Sequence, residues 1–131
     1  MNGFIMQDWI TIRGASTTTS VTQSESAWID AMKFQDIAFW LEVRGITLPA
    51  GTLTLNYETA PIKDENLFLT ATPLGSQALS VQTAPFLKSI VLAANPTVPL
   101  SRWVRWRLVQ AGAGATWDVT FRICASTSMI G

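Results

Sequence analysis

The sequence contains no histidine, and only one cysteine, in 131 residues. Without histidine there is no Ser-His-Asp triad and no Cys-His pair. The common zinc ligand sets, built from His and Cys clusters, are also gone. One cysteine excludes an intramolecular disulfide framework. Cys124 lies between Ile123 and Ala125 in a strand-like run and reads as a small buried hydrophobe. Charge is scarce as well. Charged residues make up 14% of the chain and the formal net charge is zero. Soluble domains usually carry about 25% charged residues. A surface this poor in charge loses little solvation when another protein covers it. With no positive excess, non-specific attraction to nucleic acid or to an anionic membrane is not expected, and neither a specific nucleic acid nor a membrane is an expected partner.

Long apolar runs are missing too. None approaches the roughly 20 residues that cross a bilayer as a helix. The first twelve residues include Asp8 and lack a basic start, so a secretory signal is not expected in them. The expectation is a chain kept inside a cell or exported only within a particle. Gly112 and Gly114 lie in QAGAGA, which lacks the GK[ST] of a phosphate loop. No cofactor and no metal are expected. The remaining acidic candidates for acid-base chemistry are Asp64 with Glu65, or Asp30, Asp36 and Glu42. Asp64 and Glu65 are also the candidates for a calcium site, without EF-hand spacing. These side chains read better as caps and solvated charges, so an enzyme is not expected.

What the sequence does contain is period-two alternation, the signature of strands. In 36–44 (DIAFWLEVR), Ile37, Phe39, Leu41 and Val43 share one face, and Ala38, Trp40, Glu42 and Arg44 the other. In 52–59 (TLTLNYET), Leu53, Leu55 and Tyr57 form the apolar face. The Gly- and Pro-punctuated GITLPAG between them predicts a turn, so these two strands are expected to pair as a hairpin. In 102–109 (RWVRWRLV), Val104, Trp106 and Leu108 alternate with Trp103, Arg105 and Arg107. In 116–124 (TWDVTFRIC), Trp117, Val119, Phe121 and Ile123 point inward. The Gly-rich QAGAGA predicts a second hairpin between these two strands. Weaker strand candidates are 4–12, 17–22, 27–30, 78–83 and 86–93. Residues 64–69 (DENLFL) predict one helical turn at most, with Asp64 as its N-cap.

Seven to nine short strands without a sustained helical period predict an all-β fold: a two-sheet antiparallel β-sandwich, jelly-roll-like. Residues 1–26 are expected to form an N-terminal strand and a Thr/Ser-rich arm or loop (ASTTTSVTQSES), and 27–131 the sandwich body of a single domain.

Six tryptophans are many for this length. Trp40 and Trp103 lie opposite the aliphatic stripes of their strands. They suit a second packed face, a protein interface, or stacking on sugars. Arg105 and Arg107 share Trp103's face. They suit an interface anchor or cross-strand pairing with Glu42 or Asp118; binding of single-stranded nucleic acid is disfavoured by the neutral charge. The candidate interface residues are therefore Trp40, Trp103, Arg105 and Arg107.

Several strings, FQDIAFWLEVRG at 34–45, LTLNYETAPIKDENLF at 53–68, SRWVRWRLV and WDVTFRI, resemble small structural proteins of tailed bacteriophages. The resemblance spans roughly residues 28–124 and its motifs are loose; it carries no catalytic position with it. It implies a virion component assembled in the bacterial host cytoplasm, most naturally a capsid decoration (cement) protein. Such a protein is a homo-oligomer bound to the major capsid protein or other virion proteins on the capsid exterior. Alternatives are a connector, tail or fibre-base protein, or a carbohydrate-binding β-sandwich module.

Overall fold

A computed structural model describes residues 2–68, 70, 72–79, 85–92 and 100–129. The strands are β1 (Asn2–Gly14), β2 (Ser20–Thr22), β3 (Ile29–Asp30), β4 (Phe34–Thr47), β5 (Thr52–Ala60), β6 (Gly75–Ala78), β7 (Phe86–Leu92), β8 (Trp103–Ala111) and β9 (Trp117–Met129). Sheet A has the order β1-β9-β4-β7 and sheet B the order β2-β8-β5-β6. β3 also pairs with β8, so β2 and β3 are two pieces of one interrupted edge strand. All pairings are antiparallel. The result is the expected all-β sandwich with a jelly-roll-like order of four strands against four.

The pairing partners differ from both predicted hairpins. β4 pairs with β9 and β7, whereas β5 pairs with β8 and β6. β8 and β9 also lie in different sheets. The GITLPAG and QAGAGA segments are therefore crossings between sheets. The physical reason is burial on both sides of one core. Strands with strong apolar faces that follow each other closely can bury those faces against each other by stacking, and here they do. The Phe39 and Tyr57 rings, one from each strand of the supposed hairpin, stack at 3.9 Å with 4° between planes. Trp106 of β8 meets Phe121 of β9 edge-on at 5.2 Å.

The alternation itself is realised as expected. Ile37, Phe39, Leu41, Val43, Leu53, Leu55, Tyr57, Val104, Trp106, Leu108, Trp117, Val119, Phe121 and Ile123 are all buried. β1 alternates only loosely because its register with β9 shifts between Ile5 and Gln7 and again between Gln7 and Ile10. Such bulges insert residues that break the period of two. The turn after Pro61 is a 3-10 turn, Glu65–Leu67, with the Asp64 carboxylate accepting from the Asn66 N–H at 2.9 Å. A second 3-10 turn, Glu25–Ala27, was not expected. β6, in GSQA, overlaps the candidate 78–83 only at Ala78, and residues 80–83 of that candidate fall outside the described residues. The candidate 86–93 is β7 as far as Leu92.

The Thr/Ser-rich stretch lies along the sandwich. Ser20–Thr22 pairs with β8. Gln110 Nε2 donates to the Thr18 carbonyl at 2.7 Å and the Ser16 carbonyl at 3.3 Å. Buried Gln23 donates to the carbonyls of Met6 and Ala27 and accepts from the Trp106 N–H. These bonds satisfy backbone groups at the point where the edge strand is interrupted.

Tyr57 is the only tyrosine and is fully buried, with its hydroxyl donating to Gln77 Oε1. Burial pushes its pKa far above the ordinary value of 10.0. The folded chain then keeps the phenol neutral while the unfolded chain ionises above about pH 10. Stability is unaffected below that pH and falls as pH rises beyond it. An alkaline titration followed at 295 nm is expected to show phenolate only together with unfolding. Phenolate appearing in the folded protein near pH 10 would contradict this burial.

Candidate interaction surfaces

The two outer faces of the sandwich differ in what covers them. On sheet B, the register of β5 with β8 sets Glu58 opposite Arg105 and Asn56 opposite Arg107. Glu58 is fully buried. It accepts from Arg105 Nε at 3.1 Å through Oε1 and from Arg107 Nε at 2.8 Å through Oε2. Trp28 and Phe68 close over this group, edge to face at 4.8 Å. The Arg105 guanidinium carbon sits 4.0 Å from the Phe68 ring centre and 5.3 Å from that of Trp28. Cation-π contact of this kind strengthens when water is excluded. Trp103 packs at the margin of the same cluster, half-buried, with Lys63 Nζ 4.8 Å from its ring. The segment 61–68 thus forms a strap over sheet B, pinned by Phe68.

This arrangement corrects the expectation for Arg105. At 2% exposure it does not reach a partner protein. Its counter-charge is Glu58, neither Glu42 nor Asp118. The β5–β8 pairing that creates this contact was hidden by the expected hairpin between β4 and β5. Arg107 is tied to the same carboxylate. Trp103, Arg105 and Arg107 are therefore together on sheet B, while Trp40 is on the other sheet.

Sheet A has no described element packed over its outer face. Outward side chains there form cross-strand rows given by the registers of β1, β9, β4 and β7. One row runs Ile5, Cys124, Trp40. The next holds Arg122, Glu42 and Leu87. On the other side lie Gly3, Ser126 and Ala38. Ile5 is 54% exposed and Leu87 61% exposed. Cys124 is half-buried on this outer face and not in the core, a correction to its reading as a buried hydrophobe. Arg122 Nη2 donates to Glu42 Oε1 at 2.7 Å. The Trp9 ring receives the guanidinium carbons of Arg44 at 4.1 Å and Arg122 at 5.0 Å. A shallow groove of about 360 Å³ runs between Trp9 and Leu87, with Arg44, Pro85 and Phe86 in its walls. Trp9, Arg44 and Arg122 share no sequence pattern that groups them. Trp9 falls in the β1 bulge, where no regular register predicts its neighbours.

Four of the acidic candidates are engaged in local structure, and the fifth, Glu65, is exposed in the 3-10 turn. Asp64 caps its turn. Asp30 binds Arg102 at 3.1 Å, and this hydrogen bond holds its carboxyl below the ordinary value of 3.8. Asp36 accepts from the Ser128 N–H at 3.1 Å, and Glu42 pairs with Arg122. Among the described residues, no three His, Cys, Asp or Glu side chains converge in a metal-binding group.

The fold and its faces define a jelly-roll-like sandwich: the segment 61–68 covers one end of sheet B, and among the described residues nothing packs over the outer face of sheet A. No protein-family model matches the sequence, and no curated protein matches it. In fold, the chain is similar to a chain in the structure of infectious bursal disease virus Gx strain, with a TM-score of 0.54 and 12% identity. That likeness covers 99% of this chain and 32% of the viral one, so this chain spans about a third of the viral chain's length. A chain of the Triatoma virus empty capsid matches with a TM-score of 0.48 and 10% identity, over 97% of this chain and 87% of that one. A chain from Bacillus endospore appendages, described as disulfide-linked pili, matches with a TM-score of 0.40 and 15% identity, over 98% and 93%. At 12% identity, the likeness to the bursal disease virus chain is one of fold.

Proposed function

We propose that this chain is a virion structural protein that holds other virion polypeptides together and carries out no catalysis. The observation that supports this best is the open outer face of sheet A. A half-buried tryptophan, Trp40, stands there among small side chains, with exposed Ile5 and Leu87 beside it. Tryptophan is enriched among the residues that dominate binding energy at protein interfaces. The fold likeness to a viral chain and the sequence resemblance to phage structural proteins both favour a virion setting.

In its finer form the proposal is a decoration protein. It sits on the capsid exterior of a bacterial virus and bridges subunits of the major capsid protein as a homo-oligomer. Burial of apolar surface contributes about 25 cal/mol per Å² before the costs of association are subtracted. Several linked contacts then slow dissociation through high effective concentration. No cofactor enters the mechanism.

Quantitative mass spectrometry of purified particles tests this reading. Copies comparable in number to the major capsid protein are expected, together with lower thermal stability of particles that lack the chain. Six or twelve copies would move it to a connector or tail. Absence from particles would end the virion reading.

A further inference from the structure

We infer that the open face of sheet A is a self-complementary interface between two copies of this chain. This rests on the reading of that face as a contact surface and names its occupant.

The geometry comes from the register of the two central strands. On the outer face, β9 and β4 place Arg122 beside Glu42, Cys124 beside Trp40 and Ser126 beside Ala38. Consider a two-fold axis lying along the strands, between β9 and β4 and just above the face. It carries β9 of one copy over β4 of the other and keeps every row at its own height. Arg122 of each copy then faces Glu42 of the other. The large Trp40 faces the small Cys124, and Ala38 faces Ser126. A two-fold interface requires that if i meets j, then j meets i. These three rows meet that condition, with Arg122 and Glu42 turning from their pairing within one chain to the same pairing across the two-fold. Aligned sheets cross at about 30°, so the match is closest along the central strands, where these rows lie.

Charge and area agree with a second copy. Asp8 and Glu42 balance Arg44 and Arg122 around this face, and the whole chain is neutral. Identical copies therefore meet no net repulsion. Strand spacing near 4.8 Å and a rise near 3.3 Å per residue give a four-strand face of roughly 600–700 Å². Two such faces bury about 1,300 Å², above the roughly 1,000 Å² that separates specific interfaces from packing contacts.

The test is a charge exchange read by light scattering and sedimentation. Wild-type protein is expected to approach twice 14.3 kDa at micromolar concentration. Arg122→Glu alone places acid against acid in a homodimer, and Glu42→Arg alone places base against base. Each single variant should associate at least tenfold more weakly. Mixing the two variants restores opposite charges across the two-fold in both pairs of this row, so a heterodimer should form. A role confined to the Arg122–Glu42 pair within one chain predicts no association on mixing. If either variant fails to fold, Ala38→Arg asks the same question from a neighbouring outward position and should give a folded monomer. A wild-type monomer up to roughly 100 µM, where even weak pairs with Kd in that range are half-formed, overturns the inference. So does a mixture that stays monomeric, or an Ala38→Arg variant that still dimerises. Copy counting in particles decides the virion reading independently of these results.

Discussion

Replacing Glu58 with alanine is expected to lower stability by about 3–5 kcal/mol, the loss typical when one partner of a buried ion pair is removed. Glu58 is fully buried and accepts from two arginines. Without it, the Arg105 charge is left under Trp28 and Phe68 with no counter-ion. Arg105 already has one buried nitrogen, Nη1, without a hydrogen-bond partner, so little compensation exists nearby. For a domain of this size each kcal/mol moves Tm by roughly 3–5 °C. A fall of about 10–20 °C should appear in a thermal melt. Asp30→Ala is the control. It removes an ion pair whose partners are 47% and 41% exposed, and water screens such pairs, so the melt should barely move. Equal small shifts in both variants would show that the group over sheet B is not a closed, dry cluster.

Gly51→Ala is expected to cost about 3 kcal/mol or more, because strain and overlap coincide at one position. Gly51 has a φ of +79°, a region that side chains other than glycine's rarely occupy. A Cβ there would also stand 2.0 Å from the Ala111 carbonyl oxygen. That backbone cannot retreat freely, since Ala111 is paired with Thr52 at the end of β5. Gly112→Ala separates the two effects. Its φ is +70°, but its Cβ would meet nothing closer than 3.6 Å. It should lose only the conformational term, about 1 kcal/mol. Denaturant midpoints of the two variants measure the difference. Similar losses in both would mean that the two sheet crossings do not touch as described.

Both positions lie on contacts that sequence alone does not disclose. The inward faces of β4, β5, β8 and β9 were legible because alternation directly reports which side of a strand is apolar. Their neighbours were not. Leu55 beside Leu108 and Leu41 beside Ile123 look like any other aliphatic pair until the register is known. A hairpin is the shortest-range guess for two strands joined by a Gly- and Pro-containing loop. Here the loops instead cross the core, and that choice is made by face-to-face packing such as Phe39 on Tyr57. The Glu58–Arg105–Arg107 group was lost for the same reason. Its members are 47 and 49 residues apart, and only the β5–β8 pairing joins them. Trp40 was legible as an outward tryptophan, because its neighbours Phe39 and Leu41 point inward. Trp9 was not, because a bulge removes the period on which such a reading depends. β6, with no apolar alternation in GSQA, gave no signal at all.

The central claim is that the open face of sheet A is covered by protein when the chain does its work. Oxidative footprinting compares that face in dilute, monomeric protein and in assembled particles. Trp40, Ile5 and Leu87 are expected to be modified in the dilute protein and shielded in the particle, while core residues such as Phe121 stay unmodified in both. Equal modification of Trp40, Ile5 and Leu87 in the two states would contradict the account.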